Sequence, residues 1–175
     1  SKHAGQYRDD GKDYFTHPIA VAEILSKMGL DSSTIITALL HDVVEDNSDH
    51  TLEKIKNEFG EKITKIVDGL TKIGKLNTKG YSDVSIQAEN YRKMLLTLNE
   101  DVRVIIIKIA DRLHNMQTLS SMPYEKQIQK ASETLYIYAP LAHRIGLYNI
   151  KTELEDLGLK YTCLLYTSDA ADDRM

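Results

Sequence analysis

The sequence predicts an all-α domain. Apolar residues recur at three- and four-residue steps along most of the chain. Gly and Pro are sparse, and helix caps and stops fall between the apolar stretches. With 175 residues and 42% hydrophobic content, the chain can form one globular domain with its own core.

From His17 to Met28, the residues Ile19, Val21, Ala22, Ile24, Leu25 and Met28 lie at helical spacing. Pro18 suits the first turn and Gly29 a stop. Asp31, Ser32 and Ser33 offer N-caps for a second helix running to about Val44. Thr51 can cap a third, ending near Phe59-Gly60, and Ile63, Ile66, Val67 and Leu70 carry the period onward. Gly74 to Ser82, with Asn77, Gly80 and several Lys, reads as a loop, and Ile86 to Leu98 resumes a helix. The run Val104 to Ile107 has strand propensity. The steps through Ala110, Leu113, Met116 and Leu119 nevertheless predict a buried helix from Val102 onward. Ser132 to about Leu157 is a further helical stretch, bent at Pro140. The helical pattern ends at Leu157 to Tyr161. Cys163 to Met175 continues no amphipathic face and resembles translated adaptor sequence. Residues 1–161 are therefore read as the domain and 162–175 as a non-native tail.

Net charge is −4, so no global basic field is available for nucleic acid, and direct nucleic-acid binding is not expected. No apolar run is long enough to span a membrane, and no secretory pattern stands at the start. The single cysteine, Cys163, cannot form an internal disulfide. Together these features predict a cytoplasmic protein.

The chemistry concentrates in His41-Asp42-Val43-Val44-Glu45-Asp46, one imidazole and three carboxylates directly after an apolar run. Burying such groups unpaired is costly, and a metal ion would compensate them. His41 and Asp42 point about 100° apart on a helix, yet can share an ion at the helix end. His17 opens an earlier helix, and Asp111 lies in the apolar stretch Lys108-Ile109-Ala110-Asp111-Arg112-Leu113-His114-Asn115. Two His and two Asp form a mixed N/O set that suits Mn, Fe or Zn better than Ca or Mg. Glu45 is one helical turn beyond His41, so it can reach a water activated there and take its proton. His114 reads as a packing residue of its helix.

Several segments carry a family resemblance: His17-Pro18, His41 to Asp46, Val67 to Lys72, Lys108 to Met116 and Tyr138 to Arg144. They resemble the hydrolase domain of the Rel/SpoT alarmone enzymes, within the HD phosphohydrolase superfamily. The resemblance covers Ser1 to about Tyr161. It implies an all-helical HD bundle that removes the 3′-pyrophosphate of the guanosine nucleotides ppGpp and pppGpp, with Mn2+ as cofactor. It places the metal ligands on His17, His41, Asp42 and Asp111, and the catalytic acidic pair on Glu45 and Asp46. Arg8 corresponds to a residue near the guanine base, and Asn115 and Thr118 to nucleotide-contacting positions. Arg112 is the candidate cation for charge developing on the phosphoryl oxygens. Asp9 and Gln117 stand where the family often has basic residues, which leaves the preference between ppGpp and pppGpp open.

Two other functions fit the same resemblance. One is a generic HD nucleotidase acting on other phosphoesters. The other is a regulatory HD module for an adjoining synthetase domain; retention of His41, Asp42, Glu45 and Asp46 speaks against it. The stretch Ile150 to Leu157 resembles the connection towards a synthetase domain, so a covalently linked one is expected in a longer parent protein.

Overall fold

A computed structural model describes residue 11 and residues 13–42, 52–74, 84–98 and 100–172. Every regular element among them is helical. Helix α1 spans Thr16–Lys27, α2 Ser32–Leu40, α3 Leu52–Gly74, α4 Val84–Leu98 and α5 Val102–Gln117. A 3-10 turn at Leu119–Ser121 leads to α6, Tyr124–Glu133. A π-helical segment, Thr134–Tyr138, joins α6 to α7, Ala139–Arg144, and α8 spans Tyr148–Asp172.

The boundaries follow local chemistry. Gly29 at φ 74° closes α1, with its N–H on the Ser26 carbonyl and the Leu30 N–H on the Leu25 carbonyl. Asp31 takes the cap of α2, accepting from the Thr34 N–H at 3.1 Å. Gly60, at φ 82°, breaks the helical path inside α3 where the Phe59-Gly60 stop is expected.

Helix α5 is the centre of the domain and packs against α1, α3, α4 and α8. Its β-branched run is helical because burial on nearly every side outweighs strand propensity: Val104, Ile105, Ile107, Ile109, Ala110 and Met116 are all buried. Around it lie Leu25 of α1, Ile66 and Leu70 of α3, and Leu154 of α8, each fully buried. Helix α3 comes close to α5 because Gly69 has no side chain. A Cβ there would stand 2.8 Å from Val104 Cγ2.

The remaining expectations need correction. The stretch from Ser132 is not one helix bent at Pro140. It changes to π geometry at Thr134–Tyr138 and stops at Gly146, whose φ is 81°. Pro140 sits in the first turn of α7, where its missing N–H costs nothing. The last helix passes Leu157 to Tyr161 and continues to Asp172, so the lack of an amphipathic face does not end it. Helix α2 closes at Leu40, and Val44 lies outside the described residues, as does the predicted loop beyond Gly74.

Candidate metal centre

His17 enters on the first turn of α1 and is buried. His41 is the C-cap of α2 and keeps helical dihedrals, with Asp42 following in the turn. Asp111 projects from the middle of α5. Three separate elements therefore aim their side chains at one point. His17, His41 and Asp42 each supply one ligand atom, all within 4.8 Å of one another. Both Nε2 atoms face Asp42, that of His17 at 4.0 Å from Oδ2 and that of His41 at 3.0 Å from Oδ1. Asp111 Oδ1 lies 3.0 Å from His17 Nε2 and 4.0 Å from His41 Nε2.

The donor chemistry at this point calls for a cation. His41 Nδ1 is 2.6 Å from the Ala38 carbonyl oxygen, a contact only an N–H can satisfy. In the neutral ring Nε2 then carries a lone pair. That atom is buried and has no hydrogen-bond partner, although Asp42 Oδ1 approaches it to 3.0 Å without hydrogen-bond alignment. A lone pair facing a second imidazole and two carboxylates leaves electron-rich atoms converged in the interior. A divalent ion fits that set, and imidazole with carboxylate suits a first-row transition metal.

The electrostatics agree. Burial opposes charge on His41, yet Asp42 and Asp111 outweigh it and raise its pKa. Burial likewise opposes ionisation of Asp42, but His41 holds its pKa below the ordinary value. Asp111 lies well below the carboxylate range despite burial, held there by His17, Lys108 and His41. The cluster thus attracts positive charge.

Neighbours hold the carboxylates in place. Tyr14 donates its hydroxyl to Asp42 Oδ2 at 3.3 Å. Asn115 donates to Asp111 Oδ1 at 2.7 Å, and Lys108 Nζ stands 3.6 Å from Asp111 Oδ2. His114 Nδ1 meets His17 Nδ1 at 2.7 Å. The sequence pointed to no role for Tyr14, and on α5 it gave none to Lys108 and only packing to His114. For the last two a signal existed: positions 108, 111 and 114 share one face of α5 at three-residue steps.

The other predicted residues separate into groups. Asn115 borders the centre through Asp111. The Thr118 hydroxyl serves the end of α5, donating to the His114 carbonyl at 3.1 Å. Arg112 points elsewhere: its guanidinium donates to Glu133 Oε2 at 2.7 Å and lies 4.2 Å from the Tyr138 ring centroid. Gln117 donates to Glu153 of α8. Arg8, Glu45 and Asp46 lie outside the described residues.

Residues 1–148 match the family model described as HD domain. The chain belongs to the HD domain family. The resemblance to the Rel/SpoT hydrolase domain and the all-helical HD fold are both borne out. One similar protein is the guanosine-3′,5′-bis(diphosphate) 3′-pyrophosphohydrolase of Haemophilus influenzae. It is 49% identical over 158 residues, 90% of this chain and 23% of its own length. Another is the bifunctional (p)ppGpp synthase/hydrolase SpoT of Escherichia coli, 49% identical over 90% of this chain and 22% of its own length. The chain therefore spans about a fifth of the length of these curated relatives. A solved structure of a metazoan SpoT orthologue that hydrolyses ppGpp superposes with TM-score 0.69 at 26% identity. The match covers 89% of this chain and 86% of that one. No described helix is long and apolar enough to cross a membrane.

Proposed function

We propose that this HD domain hydrolyses the 3′-pyrophosphate of ppGpp and pppGpp, yielding GDP or GTP and pyrophosphate, with Mn2+ held by His17, His41, Asp42 and Asp111. The observation that carries the metal reading is the buried Nε2 of His41, without an aligned hydrogen bond and facing His17, Asp42 and Asp111. The substrate reading rests on relatives named for that reaction.

A divalent ion there supplies Lewis acidity toward a phosphoryl oxygen and makes water a competent nucleophile near neutral pH. The protein's part is acid–base and positioning work. Glu45 and Asp46 stand three and four residues after Asp42 and take the proton of the attacking water. Asn115 orients Asp111 and, with Thr118, contacts the nucleotide; Arg8 packs at the guanine. Arg112 is paired with Glu133 and points away from the metal centre, so the charge of the phosphoryl oxygens is not assigned to it.

We further read residues 1–161 as the hydrolase unit of a longer cytoplasmic protein that carries a covalently linked synthetase domain and acts in alarmone turnover. The short share of each relative that this chain spans supports that reading.

Pyrophosphate release from ppGpp, with Mn2+ and with EDTA, tests the proposal. Turnover is expected with Mn2+, abolished by EDTA and by Glu45→Gln. Hydrolysis of deoxynucleotides without activity on ppGpp would replace this reading with a generic HD nucleotidase.

A further inference from the structure

His17 and His114 touch through their Nδ1 atoms, 2.7 Å apart, with ring centroids 4.9 Å apart and planes tilted by 40°. Two ring nitrogens at that distance share one proton: one donates and the other accepts. If His114 donates, a neutral His17 carries its own proton on Nε2, 3.0 Å from Asp111 Oδ1, and has no lone pair for a metal. If His17 donates, its Nε2 lone pair faces the cluster.

We infer that His114 is a positioning residue: it accepts the Nδ1–H of His17 and so fixes the tautomer in which His17 Nε2 can ligate. The inference rests on the metal reading above. His41 shows the same device with a different acceptor. Its Nδ1 meets a backbone carbonyl, which can only accept, so its tautomer is locked. The acceptor of His17 is a ring nitrogen, which can also donate. Of the two imidazole ligands, His17 alone depends on a side chain for its tautomer. Placement supports the role, because His114 is three residues after Asp111 on α5. One helix face thus offers a carboxylate to the metal and an acceptor to the histidine opposite. Groups behind a metal-ligating histidine commonly set its orientation, and their loss weakens metal binding by about 10–100-fold.

The test compares Mn2+ affinity, from the electron paramagnetic resonance signal of the free ion, in the unaltered chain, His114→Asn and His114→Phe. Asn keeps an acceptor near the Nδ1 position and Phe keeps only the ring shape. Thermal unfolding of the metal-free proteins checks that each variant folds. Affinity is expected to fall by about 10–100-fold in His114→Phe, with most of the loss recovered in His114→Asn. Long-range proton–nitrogen spectra of the unaltered chain, recorded metal-free and then loaded with diamagnetic Zn2+, are expected to show His17 protonated at Nδ1 already before the metal is added. Undiminished affinity in His114→Phe, equal losses in both variants, or a proton on His17 Nε2 in the metal-free protein would each overturn the role of His114. The spectra decide even if His114→Phe fails to fold. If the unaltered chain takes up neither Mn2+ nor Zn2+, the metal reading falls and this inference with it.

Discussion

Arg112 of α5 and Glu133 of α6 form an ion pair at 2.7 Å with both side chains buried, and the Tyr138 ring covers the guanidinium. Burial opposes the charge on Arg112, and Tyr138 and Glu133 together offset it, raising its pKa above the ordinary arginine value. Removing one partner leaves the other charge uncompensated. Glu133→Gln is therefore expected to cost about 3–5 kcal/mol of unfolding free energy. Urea titration measures this, and a loss below about 1 kcal/mol would mean that water reaches Arg112.

Asp31 makes stability depend on acid pH. It caps α2, meets Lys62 of α3 at 2.9 Å and Arg103 of α5 at 3.4 Å. Its hydrogen bond from Thr34 and the contact with Lys62 lower its folded pKa. A lowered carboxyl pKa gives stability that is complete above the unfolded value, about 3.9. That stability is lost as pH falls through the folded value. Asn still caps a helix but carries no charge. Asp31→Asn should melt below the unaltered protein at pH 7, and the gap should close as pH drops below about 4. A gap that stays constant with pH contradicts the ionic contribution.

Metal binding should register as folding stability. With free Mn2+ at about 100 times its dissociation constant, a site found only in the folded state adds about 2.7 kcal/mol. For a chain of this size that is a rise in Tm of roughly 5–10 °C. Calorimetry with MnCl2 should show it, and EDTA should reverse it. Asp42→Asn and His41→Gln should abolish it; a rise retained in both places the ion elsewhere.

Gly69 tests the contact between α3 and α5. Gly69→Ala gains about 1 kcal/mol in helix propensity. Its methyl group would meet Val104, a stiff buried side chain, at 2.8 Å, and overpacking costs about 1–3 kcal/mol. Net destabilisation is expected in denaturant melts, relieved when Val104→Ala is added. Simple additivity of the two changes argues against the contact.

The helices were legible in the sequence wherever apolar spacing and a cap agreed, as at Asp31, Gly29 and Gly60. The π segment was not, because an extra residue per turn leaves no mark in composition. The continuation of α8 to Asp172 was also hidden, since it follows no amphipathic pattern. At the site, motif resemblance singled out His17, His41, Asp42 and Asp111, but their meeting depends on α1 and α2 packing at α5. No spacing encodes that meeting across the 94 positions from His17 to Asp111. His114 looked like packing because three-residue steps on an apolar helix usually are packing. Arg112 looked available for substrate because its buried partner, Glu133, is remote in sequence.

The π turn between α6 and α7 makes chain length itself a constrained quantity. Five residues apart on an α-helix, Glu133 and Tyr138 would face directions about 140° apart; the wider turn brings both onto Arg112. Straightening the turn with every residue kept would rotate everything downstream by about 100°, whereas loss of a single codon would place the pair four residues apart on one face of an ordinary helix. Straightening Thr134–Tyr138 at constant length would turn α7 and α8 off the core together, so the wider turn and the extra residue are needed as a pair.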